Sequence, residues 1–346
     1  MKRKKLRIAQ IAPITERVPP KMYGGTERAI HYLTEGLIDR GHQVTLFASG
    51  DSITKGRLIS VNDRGTRLDK NVRDPYALTI LLLTLAFEQM ASEFDIIHSH
   101  LEYFSLPYTR MTKVPTVFSM HGRLDLPEYK KLLNHYNKQM FVSISNSQRK
   151  PMKDINWAQT IYHGYPETLF SFNEQPQDYF LYLGRIAEEK YPNLAIELAK
   201  KANINLKIAA KIDPTDQIYF KEKIEPLLDH PNIEFIGEVN DLQKTELLSN
   251  AKALLNTINW PEPFGLVMIE ALACGTPVIT GYCGSTPEII TPGKTGFLCV
   301  SEEDYLNAIQ MIDTIDRKAC RKEFEARFTQ DIMVDNYERL YYKAIN

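Results

Sequence analysis

Cysteine is scarce in the 346-residue chain: Cys274, Cys283, Cys299 and Cys320 all lie in the second half, and none forms a CxxC pair. This excludes a disulfide framework and predicts reduced thiols in a cytosolic protein. No HExxH motif or other Cys/His ligand spacing is present, so a zinc site has no support. Long apolar runs are missing too. The longest, ALTILLLTLAF at Ala77–Phe87, falls well short of the roughly 20 residues that span a bilayer; bounded by Pro75 and Glu88, it predicts a buried core helix. The start MKRKKLRIAQIAP is basic, but Arg7 and Gln10 interrupt its apolar stretch and Pro13 ends it, so a signal peptide is not expected. GKT at 293–295 looks like the end of a phosphate-binding P-loop, yet the glycine required five residues before Gly293 is Glu288.

Net charge is nearly absent as well, with 42 Lys+Arg against 43 Asp+Glu. The balance conceals an asymmetry: residues 1–165 carry 24 basic and 15 acidic side chains and residues 166–346 carry 18 and 28, so the halves are +9 and -10. A basic first half suits anionic phosphates, an acidic polymer or peripheral contact with a membrane surface, and solvated surface charge accounts for it equally well. Basic residues do not cluster with aromatics, so nucleic-acid binding is not suggested. With 43 % hydrophobic and 25 % charged residues, disorder and fibrous architectures are excluded, and the length predicts two domains of roughly 150 to 180 residues.

Short apolar runs alternate with helical patterns. Strand Leu6–Ala12, helix Thr26–Asp39 ended by Gly41, and strand Gln43–Ser49 read as one βαβ unit. Further strands are expected at Asp95–His100, Pro115–Met120, Met140–Ile144 and Thr160–Tyr162, with helices around 76–92 and 127–138. After the polar segment Pro166–Asp178 a second series follows, with strands at Tyr179–Leu183, Leu206–Ala210, Ile233–Ile236, Ala253–Asn256 and Pro277–Thr280. Two successive βα runs imply two Rossmann-like domains with function in the cleft between them. The tail Phe328–Ile345 is a helical pattern whose apolar stripe is Phe328, Ile332, Tyr337, Leu340, Tyr341 and Ile345.

The densest signal is PEPFGLVMIEALACGTPVI at 261–279. Pro263 stops any preceding helix, and Leu266–Ala273 begin a new one, so the amides of Phe264, Gly265 and Leu266 form a helix N-terminus suited to an anion. Glu262 precedes that helix, and Glu270 stands two turns inside it on an otherwise apolar surface, where a carboxylate needs a partner such as a pair of hydroxyls. A plainer account, a dipole-matched Glu262 and a solvent-facing Glu270, serves for either residue alone. Arg185 and Lys190 follow a strand end closely enough to aim a planar fork and a movable point charge at one diphosphate. Gly24 and Gly25 immediately before a helix let backbone amides approach a phosphate, or simply make a turn.

These motifs resemble glycosyltransferase family 4, the retaining nucleotide-sugar transferases of the GT-B fold. The resemblance runs through YGGTE at 23–27, HSH at 98–100, His121-Gly122, SISNSQ at 143–148, HGY at 163–165 and LGRIAEEK at 183–190. It continues with FIGEV at 235–239, PEPFG, GSTPEII at 284–290 and GKTGFL at 293–298. It implies an α/β fold of two facing Rossmann-like domains with parallel sheets. An acceptor-side domain at 1–165 would be completed by the C-terminal helix 328–346, and a nucleotide-sugar-binding domain would span 166–327.

By the same resemblance Glu262 holds donor-sugar hydroxyls, Glu270 the ribose hydroxyls, Arg185, Lys190 and the Phe264–Leu266 amides the diphosphate, and Gly24-Gly25 approach that diphosphate from the first domain. His121 contacts the donor sugar near the reacting carbon, and the resemblance favours it over His98 and His100. The family usually has glycine after this lysine, where this chain has Tyr191. No Asp-x-Asp occurs, which counts against the metal-dependent transferase architecture.

The expected function is therefore metal-independent, retaining transfer of a hexose from a nucleoside diphosphate sugar to a hydroxyl, with attack on the face the leaving group departs from. UDP-glucose is the first expectation for the donor and GDP-mannose the second. The acceptor would be a glycan, a lipid-linked sugar or a small molecule, and the location cytoplasmic or peripheral to the inner membrane face. A nucleotide-sugar epimerase or hydrolase, and an inactive sugar-nucleotide-binding partner subunit, are the alternatives on the same fold.

Overall fold

The computed structural model describes residues 4–22, 24–67 and 69–346, so Tyr23 of the YGGTE motif lies outside the described residues. The chain divides into two compact units, Met1–Pro166 with Gln330–Asn346, and Glu167–Thr329.

In the first unit the strands are β1 (Arg7–Ile11), β2 (Gln43–Phe47), β3 (Arg57–Ile59), β4 (Ile96–Ser99), β5 (Thr116–Met120), β6 (Met140–Ser143) and β7 (Trp157–Thr160). They form one parallel sheet in the order β3-β2-β1-β4-β5-β6-β7. Near-continuous apolar strands such as β5, buried along its whole length, are what a sheet covered on both faces requires. The order reverses between β1 and β4, and doubly wound sheets bind ligands beyond the carboxyl ends of strands at such a point. Helices α1 (Gly25–Asp39), α2 (Pro75–Thr84) and α3 (Pro127–His135) connect the strands. β3 has only three half-buried or exposed residues and left no sequence signal. The last strand, expected at Thr160–Tyr162, is Trp157–Thr160, where the pairing with β6 shifts register between Phe141 and Val142.

The expectation of a buried core helix at the longest apolar run needs correction. Asp74 caps α2 by accepting from the amides of Tyr76 and Ala77 at 3.0 and 3.3 Å. Leu82, Leu83, Ala86 and Phe87 enter the core beside Ala9, Ile11, Phe47 and Ile97, whereas Tyr76, Ile80 and Leu81 are exposed. A run apolar on every face carries no sidedness for periodicity to read. No helix among the described residues is long and apolar enough to cross a membrane.

The second unit holds β8 (Phe180–Arg185), β9 (Leu206–Lys211), β10 (Ile233–Phe235), β11 (Ala253–Asn256), β12 (Val278–Gly281) and β13 (Gly296–Cys299), parallel and ordered β10-β9-β8-β11-β12-β13. Its helices are α4 (Pro192–Ala202), the single turn α5 (Gln217–Tyr219), α6 (Asp241–Asn250), α7 (Leu266–Ala273), α8 (Thr286–Ile289), α9 (Glu302–Met311) and α10 (Arg317–Arg327). The strand order reverses between β8 and β11. A buried Arg317 ties this unit together, donating to the carbonyls of Asn173, Ala251 and Ser249 and to Thr276 Oγ1 at 2.7–2.9 Å.

The last helix, α11 (Gln330–Ile345), belongs to the first unit. Met333, Val334, Tyr337, Leu340 and Tyr341 join the core of Ile8, Leu33, Leu37 and Val44. Gly36 admits the helix, since a Cβ there would stand 2.7 Å from Val334 Cγ2. Arg40 pairs with Asp331, Asp335 and Glu338, and His42 Nε2 lies 3.0 Å from Glu338 Oε1. The expected stripe is trimmed at both ends: Phe328 is buried in the second unit, edge-on to Phe264, and Ile345 is exposed.

Candidate functional site

In the second unit the structure brings Lys190 and Glu262, which follow β8 and β11, into contact, while Arg185 and Glu270 engage other partners. Arg185 ends β8, and its guanidinium faces three carboxylates: Glu189, Asp213 at 3.7 Å and Asp216 at 3.6 Å. Lys190 closes a short turn and pairs instead with Glu262. Glu262 Oε2 also accepts from Trp260 Nε1 at 2.9 Å, and Lys190 Nζ lies 5.2 Å from the Trp260 ring centre. Tyr191 adopts φ 52° and ψ 46°. The loop thus follows a left-handed path natural to the family's glycine, at a cost of roughly 1–2 kcal/mol for a side-chain-bearing residue.

The 261–266 segment is braced from behind. Ser285 donates its amide to Glu262 O at 3.0 Å and its hydroxyl to Phe264 O at 2.7 Å. Gly284, at φ +56°, lies so close that a Cβ would stand 2.3 Å from Glu262 N. Gly265 takes φ 82° and caps α7, whose first turn closes with Met268 N donating to Gly265 O at 3.0 Å, downstream of the Leu266 amide. The Phe264 side chain is core, so only its backbone faces the loop. Glu270 is buried, and its partner is internal: Lys244 of α6 donates to Oε1 at 2.7 Å while lying over the Phe170 ring. This pair answers the demand for a partner that the apolar helix raised, so that demand alone does not call for ribose.

In the first unit, Gly24 caps α1 without a side-chain bond, and a Cβ on it would meet Pro20 at 2.8 Å. Gly25 opens the helix. The first turn also carries Glu27, whose burial pushes its carboxyl up to about 7, so the helix end holds at most a partial negative charge at neutral pH.

His121 follows β5, with burial lowering its ring to about 4. It stacks on His163 at 5.3 Å, and its Nε2 lies 2.9 Å from His100 Nδ1. His100 Nε2 in turn contacts Gln10 Oε1 at 2.8 Å, and Gln10 Nε2 donates to Tyr341 OH at 3.0 Å. Tyr341 OH meets His98 Nδ1 at 2.6 Å, and His98 Nε2 meets Ser119 Oγ at 2.7 Å. His98 and His100 are thus fully buried members of one network running from α11 to His121. Beside it Glu102 Oε1 accepts the amides of His121 and Gly122 at 2.9 and 2.8 Å. Among the described residues no three His, Cys, Asp or Glu side chains are grouped to hold a metal ion.

Sequence reasoning passed over Lys244, Glu102 and the brace by Gly284 and Ser285. Lys244 sits in a polar helical stretch with nothing to mark it, and its link to Glu270 spans 26 residues. GSTPEII was visible as a motif, but its service to Glu262 is a tertiary contact. Glu102 stands two residues after HSH and carried no spacing signal.

Residues 167–327 match the family described as Glycosyl transferases group 1, and residues 23–164 match Glycosyltransferase Family 4. A glycosyltransferase of Methanocaldococcus jannaschii is 23 % identical over 326 residues, covering 81 % of this chain and 82 % of the relative. The O-antigen chain mannosyltransferase C of Escherichia coli is 21 % identical over 360 residues, covering 93 % and 95 %. Among solved structures, Anabaena HepE in complex with UDP-glucose superimposes with a TM-score of 0.75 at 16 % identity, covering 98 % of this chain and 100 % of that one, a likeness of fold.

Proposed function

Because the chain belongs to glycosyltransferase family 4 and is a hexosyltransferase of GT-B fold, we propose that it moves a hexose from a nucleoside diphosphate sugar to an acceptor hydroxyl, with retention and without a metal. The observation that carries the reading is the Lys190–Glu262–Trp260 cluster at the N-terminal approach to α7, in the same unit as Arg185. Breaking the anomeric carbon–oxygen bond builds charge on the departing diphosphate, and catalysis needs fixed positive potential there. Lys190, Arg185 and the first amides of α7 supply it. Both cations rest on carboxylates, so the diphosphate replaces existing counter-ions instead of desolvating bare charges.

In this reading Glu262, released from Lys190, accepts hexose hydroxyls, and Glu270, anchored by Lys244, accepts ribose hydroxyls. His121 bonds a hexose hydroxyl near the reacting carbon, and Gly24-Gly25 serve the diphosphate from the first unit. No carboxylate in this set is placed by the reading as a nucleophile, which favours attack from the leaving-group face. A donor of the UDP-glucose or GDP-mannose kind is supported by relatives that carry mannosyltransferase names and by the UDP-glucose complex of HepE.

A calorimetric screen of UDP, GDP and ADP with their hexose derivatives, followed by NMR of the product's anomeric configuration, tests the reading. Nucleotide binding with inversion refutes retention. Nucleotide-sugar consumption that no acceptor changes points to the hydrolase or epimerase alternative. Lys190→Glu should abolish turnover by facing Glu262 with a like charge, and a fully active Lys190→Glu removes Lys190 from the site.

A further inference from the structure

Glu102 carries three features that its bonds to His121 and Gly122 do not account for. Its backbone takes φ 49°, a region that costs a β-carbon-bearing residue energy and that persists where surrounding structure enforces it, often at ligand sites. Its Oε2 is buried without a hydrogen-bond partner. Its carboxyl is pushed up to about 6, burial outweighing the two amides that favour the charge. An unpaired buried carboxylate oxygen costs free energy in the folded chain, so its retention calls for a ligand atom.

The neighbouring orphan states what kind of atom. His121 Nδ1 is also buried and unpartnered. The network fixes its proton. The Gln10 amide nitrogen donates to Tyr341, so its oxygen accepts, and His100 Nε2 must carry a hydrogen to reach it. Neutral His100 therefore has a bare Nδ1, which accepts from His121 Nε2–H. Burial keeps both rings neutral, leaving His121 Nδ1 a lone pair. Glu102 Oε2 and His121 Nδ1 thus stand at the ends of the adjacent strands β4 and β5 as two acceptors. Fully ionised phosphates and carboxylates offer no hydrogen to such a pair, whereas the hydroxyls of a sugar do.

We infer that Glu102 is a sugar-hydroxyl-binding residue of the first unit, its Oε2 acting with the His121 lone pair, and that Gln10 sets the tautomer which makes the pair hydroxyl-selective. The assignment of the site to a sugar substrate rests on the glycosyl-transfer reading, and the hydroxyl belongs to the donor hexose or to the acceptor.

The test is the 13C carboxyl resonance of Glu102 in the full chain, assigned by its loss in Glu102→Gln, or in Glu102→Asp if the glutamine variant does not fold. The probes are UDP, UDP-glucose, GDP-mannose, free glucose and free N-acetylglucosamine. Hydroxyl donation favours the carboxylate, so a bound sugar should lower its titration midpoint from about 6. Of the titratable groups around it, burial pushes the Tyr129 hydroxyl up and the His121 ring down to about 4, both away from the midpoint near 6.

A shift with nucleotide sugars and none with free sugars assigns the donor, and a shift with free sugars assigns the acceptor. In calorimetry the responding probe should bind Glu102→Gln about tenfold or more weakly, the loss of one charge-assisted bond, with UDP affinity unchanged. No shift with any sugar, or an equal shift with UDP alone, overturns the inference. A shift with free sugar in a protein that binds no nucleotide keeps the site and refutes the transferase reading.

Discussion

Replacing Gly284 by alanine tests whether the loop behind Glu262 sets the site's geometry. A Cβ at position 284 would lie 2.3 Å from Glu262 N and 2.4 Å from Glu262 O, where ordinary contact begins at 3.4 Å, so the 261–262 backbone must retreat by about 1 Å. The left-handed φ of +56° adds about 1–2 kcal/mol of strain and the overpacking about 1–3 kcal/mol, a destabilisation on the order of 2–5 kcal/mol. Because Glu262 anchors Lys190, a displacement of that size should also lower turnover by about a hundredfold. The assay pairs a thermal melt with nucleoside diphosphate release from UDP-glucose and GDP-mannose. Gly293→Ala is the control: its φ of +71° imposes the same backbone penalty, but a Cβ there meets nothing within 4 Å. Turnover of Gly284→Ala within twofold of Gly293→Ala would show that the brace does not position Glu262.

Glu270→Ala should weaken nucleoside diphosphate binding and, by leaving the buried Lys244 only the half-exposed Asp241 at 3.4 Å, cost about 1–3 kcal/mol of stability. Glu270→Ala with Lys244→Met should recover the stability but not the affinity, and wild-type calorimetric affinity in that double variant rules out the ribose role. If cations and helix amides serve the diphosphate as proposed, turnover should persist in a chelator; loss in EDTA restored by magnesium or manganese contradicts this. Glu27, raised from 4.5 to about 7, is a liability at high pH: its native form holds a proton that the unfolded chain has already released, so the penalty grows from pH 4.5 and is complete above 7. Glu27→Gln should therefore match the wild type near pH 4 and exceed its denaturant stability by about 3 kcal/mol near pH 8, and a pH-independent difference refutes the assignment.

What could be read in the sequence was local or periodic. β1, β2 and α1 announce themselves because a covered parallel sheet needs continuous apolar strands and α1 needs one apolar stripe. β3 escaped because three partly exposed residues at a sheet edge need no apolar pattern, and β13 because Gly296 and the preceding turn residues read as loop. At the site, residue types at strand ends and helix starts were visible, whereas the partners that orient them were not. Arg185 and Lys190 stand five residues apart yet engage different carboxylates, because the turn at 188–190 and the left-handed Tyr191 send their side chains to different neighbours. Lys244, Gly284 and Ser285 act on residues that only the tertiary fold brings near.

The charge asymmetry between the halves illustrates the same limit from the other side. The half carrying +9 reads as the natural host for phosphate, yet the groups it aims from the ends of β4 and β5 are a carboxylate and a neutral imidazole, both acceptors. The half carrying -10 holds the cations at the end of β8 and in the turn after it, and part of its acidity consists of the counter-ions that hold them: Glu189, Asp213 and Asp216 around Arg185, and Glu262 on Lys190. If these cations serve a diphosphate as proposed, they are held partly buried before it arrives, and at that depth each needs a carboxylate. On the proposed reading, part of the excess negative charge in the sequence then follows from a phosphate site. Excess positive charge in the first half, spread over exposed residues such as Lys4, Arg7, Lys55 and Arg57, carries no such information about the groups at its strand ends.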